Sequence, residues 1–227
     1  LNWNNFIQIA GVKSLQEAEL LISIGVEFIG FPLRLPINKE DTTEIEAKEI
    51  IAQIRNKCHP ILITYLGKAN DLIEFADFLN VEIIQLHGKI LLNEIQILRE
   101  KKNLKLIKSL IVRGNNFTEL VSEIEEYSPF VDAFITDTFN HETGASGATG
   151  KVHDWEISRK LVEISKKPIV LAGGLNHKNV KSAILTVKPA GVDSHTGVED
   201  FEGNKSEFLV KEFLQQAKNG FKELNPF

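Results

Sequence analysis

Phe6-Ile7-Gln8-Ile9-Ala10-Gly11-Val12-Lys13-Ser14-Leu15-Gln16-Glu17 joins a short apolar run to a helix-start signature across one glycine. Phe6–Ala10 is too short for a helix and reads as a strand buried on both faces. Ser14-Leu15-Gln16-Glu17 reads as a capping box, followed by apolar residues at Ala18, Leu20 and Leu21. The joint lacks the Gly-x-Gly-x-x-Gly turn that follows the first strand of dinucleotide-binding open sheets. A strand-to-helix unit without that turn favours a closed barrel over a doubly wound sheet.

The same unit recurs along the chain. Further strand-like runs lie at Val26–Phe31, Pro60–Tyr65, Val81–His87, Leu104–Ser109, Val131–Thr136, Pro168–Ala172 and Ala190–Ser194. Helical patterns fall between and after them, at 43–57, 69–79, 90–102, 115–127, 155–166, 177–186 and 205–220. Eight units in 227 residues leave about 28 residues each. Right-handed parallel crossovers in such a series close into a (β/α)8 TIM barrel. No linker, charge run or internal repeat divides the chain, so residues 1–227 are expected to form a single (β/α)8 barrel domain.

Composition excludes several function classes. The single cysteine rules out a disulfide within the chain and a multi-cysteine zinc site, and the histidines show no metal-ligand spacing, so no metal is expected. A net charge of −5 disfavours a nucleic-acid partner. No apolar run reaches membrane-span length and no signal-peptide pattern opens the sequence, so no membrane partner and a cytoplasmic location are expected. Outer helix faces of monomeric and dimeric barrels look alike, which leaves monomer and homodimer both open.

Barrel chemistry sits where strands end and the following loops begin. Cys58 precedes the third strand and therefore belongs to the opposite face. Leu171-Ala172-Gly173-Gly174-Leu175-Asn176 ends strand seven, and Val192-Asp193-Ser194-His195-Thr196-Gly197-Val198-Glu199 ends strand eight. Glycines admit backbone N–H groups close to an anion, and helix N-termini favour its charge. The pair is a candidate phosphate site; tight turns alone are the plainer reading. Asp137 ends strand six, and the glycine-rich stretch 143–150 after it suits a cover over substrate. Gln85-Leu86-His87-Gly88 puts a polar pair at the mouth of strand four, either for substrate or for bonding the rim. Arg34 is a candidate partner of a substrate carboxylate, or a surface arginine.

Gln85-Leu86-His87-Gly88, Gly147-Ala148-Thr149-Gly150-Lys151 leading to Asp154-Trp155, Leu171-Ala172-Gly173-Gly174-Leu175, and Gly191-Val192-Asp193 with Gly197-Val198-Glu199 occur in this order. Together they resemble the phosphoribosylanthranilate isomerase family, from Ile9 to about Lys205. The resemblance implies a cofactor-free Amadori rearrangement in tryptophan biosynthesis, an intramolecular oxidoreduction that turns an aminoaldose phosphate into an aminoketose phosphate. The implied partner is a phosphorylated sugar-amine substrate. The family's general acid maps onto Asp137 and its phosphate site onto Gly173, Gly174, Thr196 and Gly197. A pocket aspartate maps onto Asp193; Gln85 and Arg34 remain substrate-contact candidates on their position and chemistry rather than on the resemblance.

Strand one departs from the family pattern. The resemblance places a general-base cysteine, in Lys-Ile-Cys-Gly, where this chain has Gln8-Ile9-Ala10-Gly11. Alanine exchanges no proton, and a positioned base contributes about 10²–10⁴-fold, or roughly 3–5.5 kcal/mol of barrier. The family's Ser-Pro-Arg after strand two is not recognisable in Phe31-Pro32-Leu33-Arg34-Leu35-Pro36, and its paired serines of strand eight are His195-Thr196. Three readings follow. The first is an isomerase whose base is supplied by His87, Asp193 or His195. The second is a sugar-phosphate-binding relative with different chemistry, and the third a catalytically dead binding or regulatory protein.

Overall fold

Parallel pairing runs through the chain in sequence order and returns on itself. In the computed structural model, which describes residues 2–36, 39–114, 116–138 and 155–225, the strands are β1 (Phe6–Ala10), β2 (Phe28–Pro32), β3 (His59–Thr64), β4 (Ile83–Leu86), β5 (Lys105–Val112), β6 (Ala133–Thr138), β7 (Ile169–Leu171) and β8 (Gly191–Ser194). Each is bonded to the next, and β8 pairs with β1 to close the barrel. The helices are α1 (Leu15–Ile24), α2 (Glu44–Ile54), α3 (Ala69–Leu79), α4 (Leu92–Lys101), α5 (Phe117–Tyr127), α6 (Trp155–Ile164), α7 (Val180–Val187) and α8 (Glu207–Leu224). This is the (β/α)8 TIM barrel expected from the strand-helix alternation.

Two buried clusters follow from strand alternation. Inward residues such as Phe6, Ala10, Phe28, Ile61, Ile63, Ile83, Ile107, Ile135, Val170 and Ala172 fill the barrel interior. Outward residues of the same strands pack under the helices with Ala18, Leu21, Ile51, Leu72, Ile95, Leu161 and Phe213. Both faces of each strand are thereby buried, which is why the sequence shows continuous apolar runs rather than alternation.

Some boundaries move, for local reasons. Val26 and Val81 were expected to open strands two and four, yet their N–H groups bond Leu21 O and Ala76 O, each at 3.0 Å. They close the ends of α1 and α3 behind the left-handed residues Gly25 (φ 94°) and Asn80 (φ 57°), the use an apolar residue often has just past a helix. β5 and β6 run further than their apolar cores because Ile111 pairs with Asp137 and Val112 with Thr138.

The expected capping box of α1 is half formed. Ser14 Oγ accepts from Glu17 N–H at 3.2 Å, but the Glu17 carboxylate turns elsewhere. It accepts from Lys13 N–H at 2.8 Å and from Lys205 N–H at 2.9 Å, tying the loop after β1 to the one after β8. The complete box belongs to α2, where Thr43 and Glu46 bond reciprocally.

Candidate active site

A cavity of about 260 Å³ opens at the C-terminal end of the barrel, lined by Ala10, Ile63, Tyr65, Gln85, His87, Asp137, Asp193, His195 and Thr196 among others. Alternation on the strands aims these side chains. Inward positions on β1 are Phe6, Gln8 and Ala10, and the inward series Ile61, Ile63 on β3 continues to Tyr65. Gln8 Nε2 donates to Gln85 Oε1 at 3.1 Å, a buried bond from β1 to β4.

Asp137 lies within β6 rather than after it, because the ladder to β5 continues past it. Its Oδ1 accepts from Thr138 N–H at 2.7 Å, and its Oδ2 is 3.7 Å from His87 Nε2. Burial pushes the carboxyl above its ordinary range, with His87, the Thr138 N–H and His195 opposing. His87 Nδ1 is 2.8 Å from Ser109 Oγ, and its ring meets Tyr65 edge-on with centroids 4.9 Å apart. Burial, then the Asp137 charge, raises the Tyr65 phenol. Asp193 is pushed up to about 8, first by burial and then by Asp137. Its Oδ1 is a buried acceptor with no partner among the described residues.

Beside these groups stands a second polar cluster. His195 Nε2 lies 3.3 Å from Asp41 Oδ2 and 3.5 Å from Glu199 Oε1. The short turn Thr196–Val198 after β8 swings Glu199 back over the imidazole. Lys205 Nζ donates to Glu199 at 2.7 Å and to His195 O at 3.1 Å. Burial would raise Asp41, but His195, Lys205 and Lys13 together hold it below its ordinary value. Burial lowers Lys205. Asp41, His195 and Glu199 offer three ligand atoms within 4.8 Å of one another. The Lys205 ammonium already meets the Glu199 carboxylate, so the cluster is neutralised by protein cations rather than arranged as an open cation cage. Sequence spacing gave no hint of this cluster, because Asp41 comes from the loop before α2.

The two glycine-bearing loops touch. Gly173 (φ 93°) and Gly174 (φ 67°) are both left-handed, which only glycine adopts without strain. Ser194 Oγ donates to Leu175 O at 2.8 Å, and a Cβ on Gly197 would lie 1.9 Å from that same carbonyl. Thr196 reaches the cavity wall.

Arg34 is not brought to the cavity. Its backbone is left-handed (φ 56°), its guanidinium forks onto Glu44 at 2.8 and 3.1 Å, and it stacks 3.9 Å over Phe75. Cys58 lies in a separate cavity at the other end of the barrel, with burial raising its thiol to about 11. The glycine-rich stretch 143–150, with Lys151 and Asp154, lies outside the described residues. Lys13, Asp41, Tyr65 and Lys205 were not anticipated, and Glu199 stood in a quoted motif without a role; of the four, only Tyr65, by continuing the inward alternation of strand three, had a legible signal.

A parallel eight-stranded barrel with acidic and imidazole groups at its C-terminal mouth defines the class of (β/α)8 enzymes-like proteins whose site is built by strand ends and following loops. Residues 7–216 match the family described as N-(5'-phosphoribosyl)anthranilate (PRA) isomerase, and the chain belongs to that family. It is 34% identical over 217 residues to N-(5'-phosphoribosyl)anthranilate isomerase 2 of Methanosarcina mazei, covering 95% of each chain. It is 32% identical to the N-(5'-phosphoribosyl)anthranilate isomerase of Aquifex aeolicus, covering 94% of this chain and 98% of the relative. Among solved structures, the same isomerase from Pyrococcus furiosus is similar at 27% identity and a TM-score of 0.76, with 95% of this chain and 100% of that one covered.

Proposed function

We propose that this chain isomerises N-(5'-phosphoribosyl)anthranilate, an aminoaldose phosphate, to the corresponding aminoketose phosphate of tryptophan biosynthesis. The observation that carries the reading is Asp137: a buried carboxyl with raised proton affinity, 3.7 Å from His87, at the mouth of a barrel of this family. A carboxyl whose proton affinity is raised by burial is suited to give a proton to the furanose ring oxygen as the ring opens. His87 and Ser109 orient it. Gly173, Gly174, Thr196 and Gly197 hold the phosphate, supported by the left-handed glycines and the contact between their loops. Asp193 and Gln85 meet sugar hydroxyls, the unpartnered Asp193 Oδ1 supporting that role.

The reaction moves hydrogen from C2 to C1 of one molecule, so it calls for no external oxidant or cofactor. The partner is a small phosphorylated sugar amine rather than nucleic acid. No described helix is long and apolar enough to cross a membrane. We place the protein in the cytoplasm, acting as a monomer or homodimer.

The test is turnover of phosphoribosylanthranilate by the purified chain, followed as loss of anthranilate fluorescence. Asp137→Asn is expected to lower kcat by about 10²-fold or more while leaving affinity for a reduced product analogue within a few-fold. Analogue binding without turnover in the unsubstituted protein would favour a second reading, suggested by Ala10, in which the site holds a phosphorylated sugar without this chemistry. Loss of both binding and turnover would leave neither.

A further inference from the structure

We infer that His195, oriented by Asp41, is the general base that removes the C2 proton, in place of a side chain at Ala10. The inference rests on the isomerase reading above.

Register places the imidazole. Gln8 pairs with Asp193 and Ile9 with Ser194, so the next positions across the β1–β8 ladder are Ala10 and His195. Both line the cavity. The His195 ring lies directly over the loop that follows Ala10: a Cβ on Gly11 would meet Nε2 at 1.9 Å, Cδ2 at 2.4 Å and Cε1 at 2.7 Å. Gly11 (φ 79°) thus leaves room for the ring as well as turning the chain. The missing Cβ of Gly11 is what allows an imidazole here.

Hydrogen bonding sets the tautomer. Nε2–H faces Asp41 Oδ2 at 3.3 Å, with Glu199 Oε1 at 3.5 Å behind it. The Asp41 carboxylate, with Lys205 and Lys13 beside it, accepts from Nε2–H and steadies the imidazolium that forms. With its proton on Nε2 the imidazole carries its lone pair on Nδ1, and the ring lines the cavity. The other two candidates are committed elsewhere. His87 stands on β4, bonded to Ser109 and paired with Asp137. Asp193 lies opposite Gln8, deeper than Ala10, and keeps its proton to about pH 8.

The steps balance. The anilino nitrogen's lone pair expels the ring oxygen, which takes the Asp137 proton, giving a protonated Schiff base at C1. His195 Nδ1 then takes the C2 proton; the C–H pair becomes the C1–C2 double bond and the C=N pair returns to nitrogen. The enol so formed gains a proton at C1 and loses its hydroxyl proton, so Asp137 and His195 end in the states in which they began.

The experiment compares the unsubstituted protein, His195→Gln, and His195→Gln combined with Ala10→Cys, each assayed on phosphoribosylanthranilate and titrated with the reduced product analogue. His195→Gln is expected to lower kcat about 10²–10⁴-fold with KM and analogue affinity within a few-fold. Adding Ala10→Cys is expected to recover at least a tenth of the lost rate, since a thiol then occupies the neighbouring register position. As a positioning residue, Asp41 should show the same split: Asp41→Asn lowers kcat about tenfold and spares KM. Unchanged kcat in His195→Gln, beside an inactive Asp137→Asn, would overturn the base and leave the isomerase reading standing. Loss of analogue binding in His195→Gln would make the residue a ligand contact and overturn its role as base. An unsubstituted protein that never turns over would sink the isomerase reading, and this inference with it.

Discussion

Asp193 shows how a single carboxyl trades stability for a site. Burial above all, with the Asp137 carboxyl as neighbour, pushes it up to about 8, whereas an unfolded aspartate ionises near pH 3.9. Between those values the folded chain holds a proton that the unfolded chain has released, so this group's contribution to stability is present below about pH 4 and is lost as pH rises to about 8. Asp193→Asn removes that loss. Thermal unfolding followed at pH 4.5 and pH 8 should show the variant gaining on the unsubstituted protein at the higher pH; a gap that is the same at both would contradict it. Residue identity was legible for Asp137, His87, Asp193 and His195, because apolar runs deliver them to strand ends. Their pairing was not. Nothing in the sequence links His195 to Asp41, and Arg34 reads either as a partner of a substrate carboxylate or as a surface arginine until the structure forks it onto Glu44 and stacks it over Phe75.

At the scale of elements, the loops after β7 and β8 act as one unit. Leu175 O accepts from Ser194 Oγ and sits where a Gly197 side chain would have to go. Backbone cannot yield cheaply there, so Gly197→Ala is expected to cost about 1–3 kcal/mol and to part the two loops. Steady-state kinetics should show KM for the phosphorylated substrate rising about tenfold or more, with weaker inhibition by inorganic phosphate and a smaller fall in kcat. An unaltered KM would remove these loops from phosphate binding. Element type was readable for the eight strands, as short apolar runs buried on both faces, and for the α-helices between and after them, as longer stretches with one apolar face. Boundaries were less so: Val26 and Val81 have the residue type of a strand but serve to close helix ends. Glu17 likewise has the spacing of a capping box, yet the backbone of Lys205 competes for its carboxylate.

For the whole molecule, barrel closure separates two ends with different duties. Cys58, the chain's one thiol, is buried beside Phe28, His59 and Ile83 at the N-terminal end. Ala10 lines the cavity at the other. Cys58→Ala should therefore leave kcat/KM within about twofold. With its thiol raised to about 11, Cys58 should react with thiol reagents mainly after unfolding, a rate that reports global opening. Rapid labelling of the folded protein with loss of activity would contradict both expectations. The sequence alone carried the eight-fold alternation, and with it the barrel, because short runs buried on both faces have few other ways to pack. It also located which strand ends hold acid, imidazole and glycine. Closure decided the rest: by bringing β8 against β1 it set His195 beside Ala10 and above Gly11, and it brought Asp41 and Lys205 to the same imidazole. Those contacts join residues far apart in the chain, and only the register of the closing strands determines which of them meet.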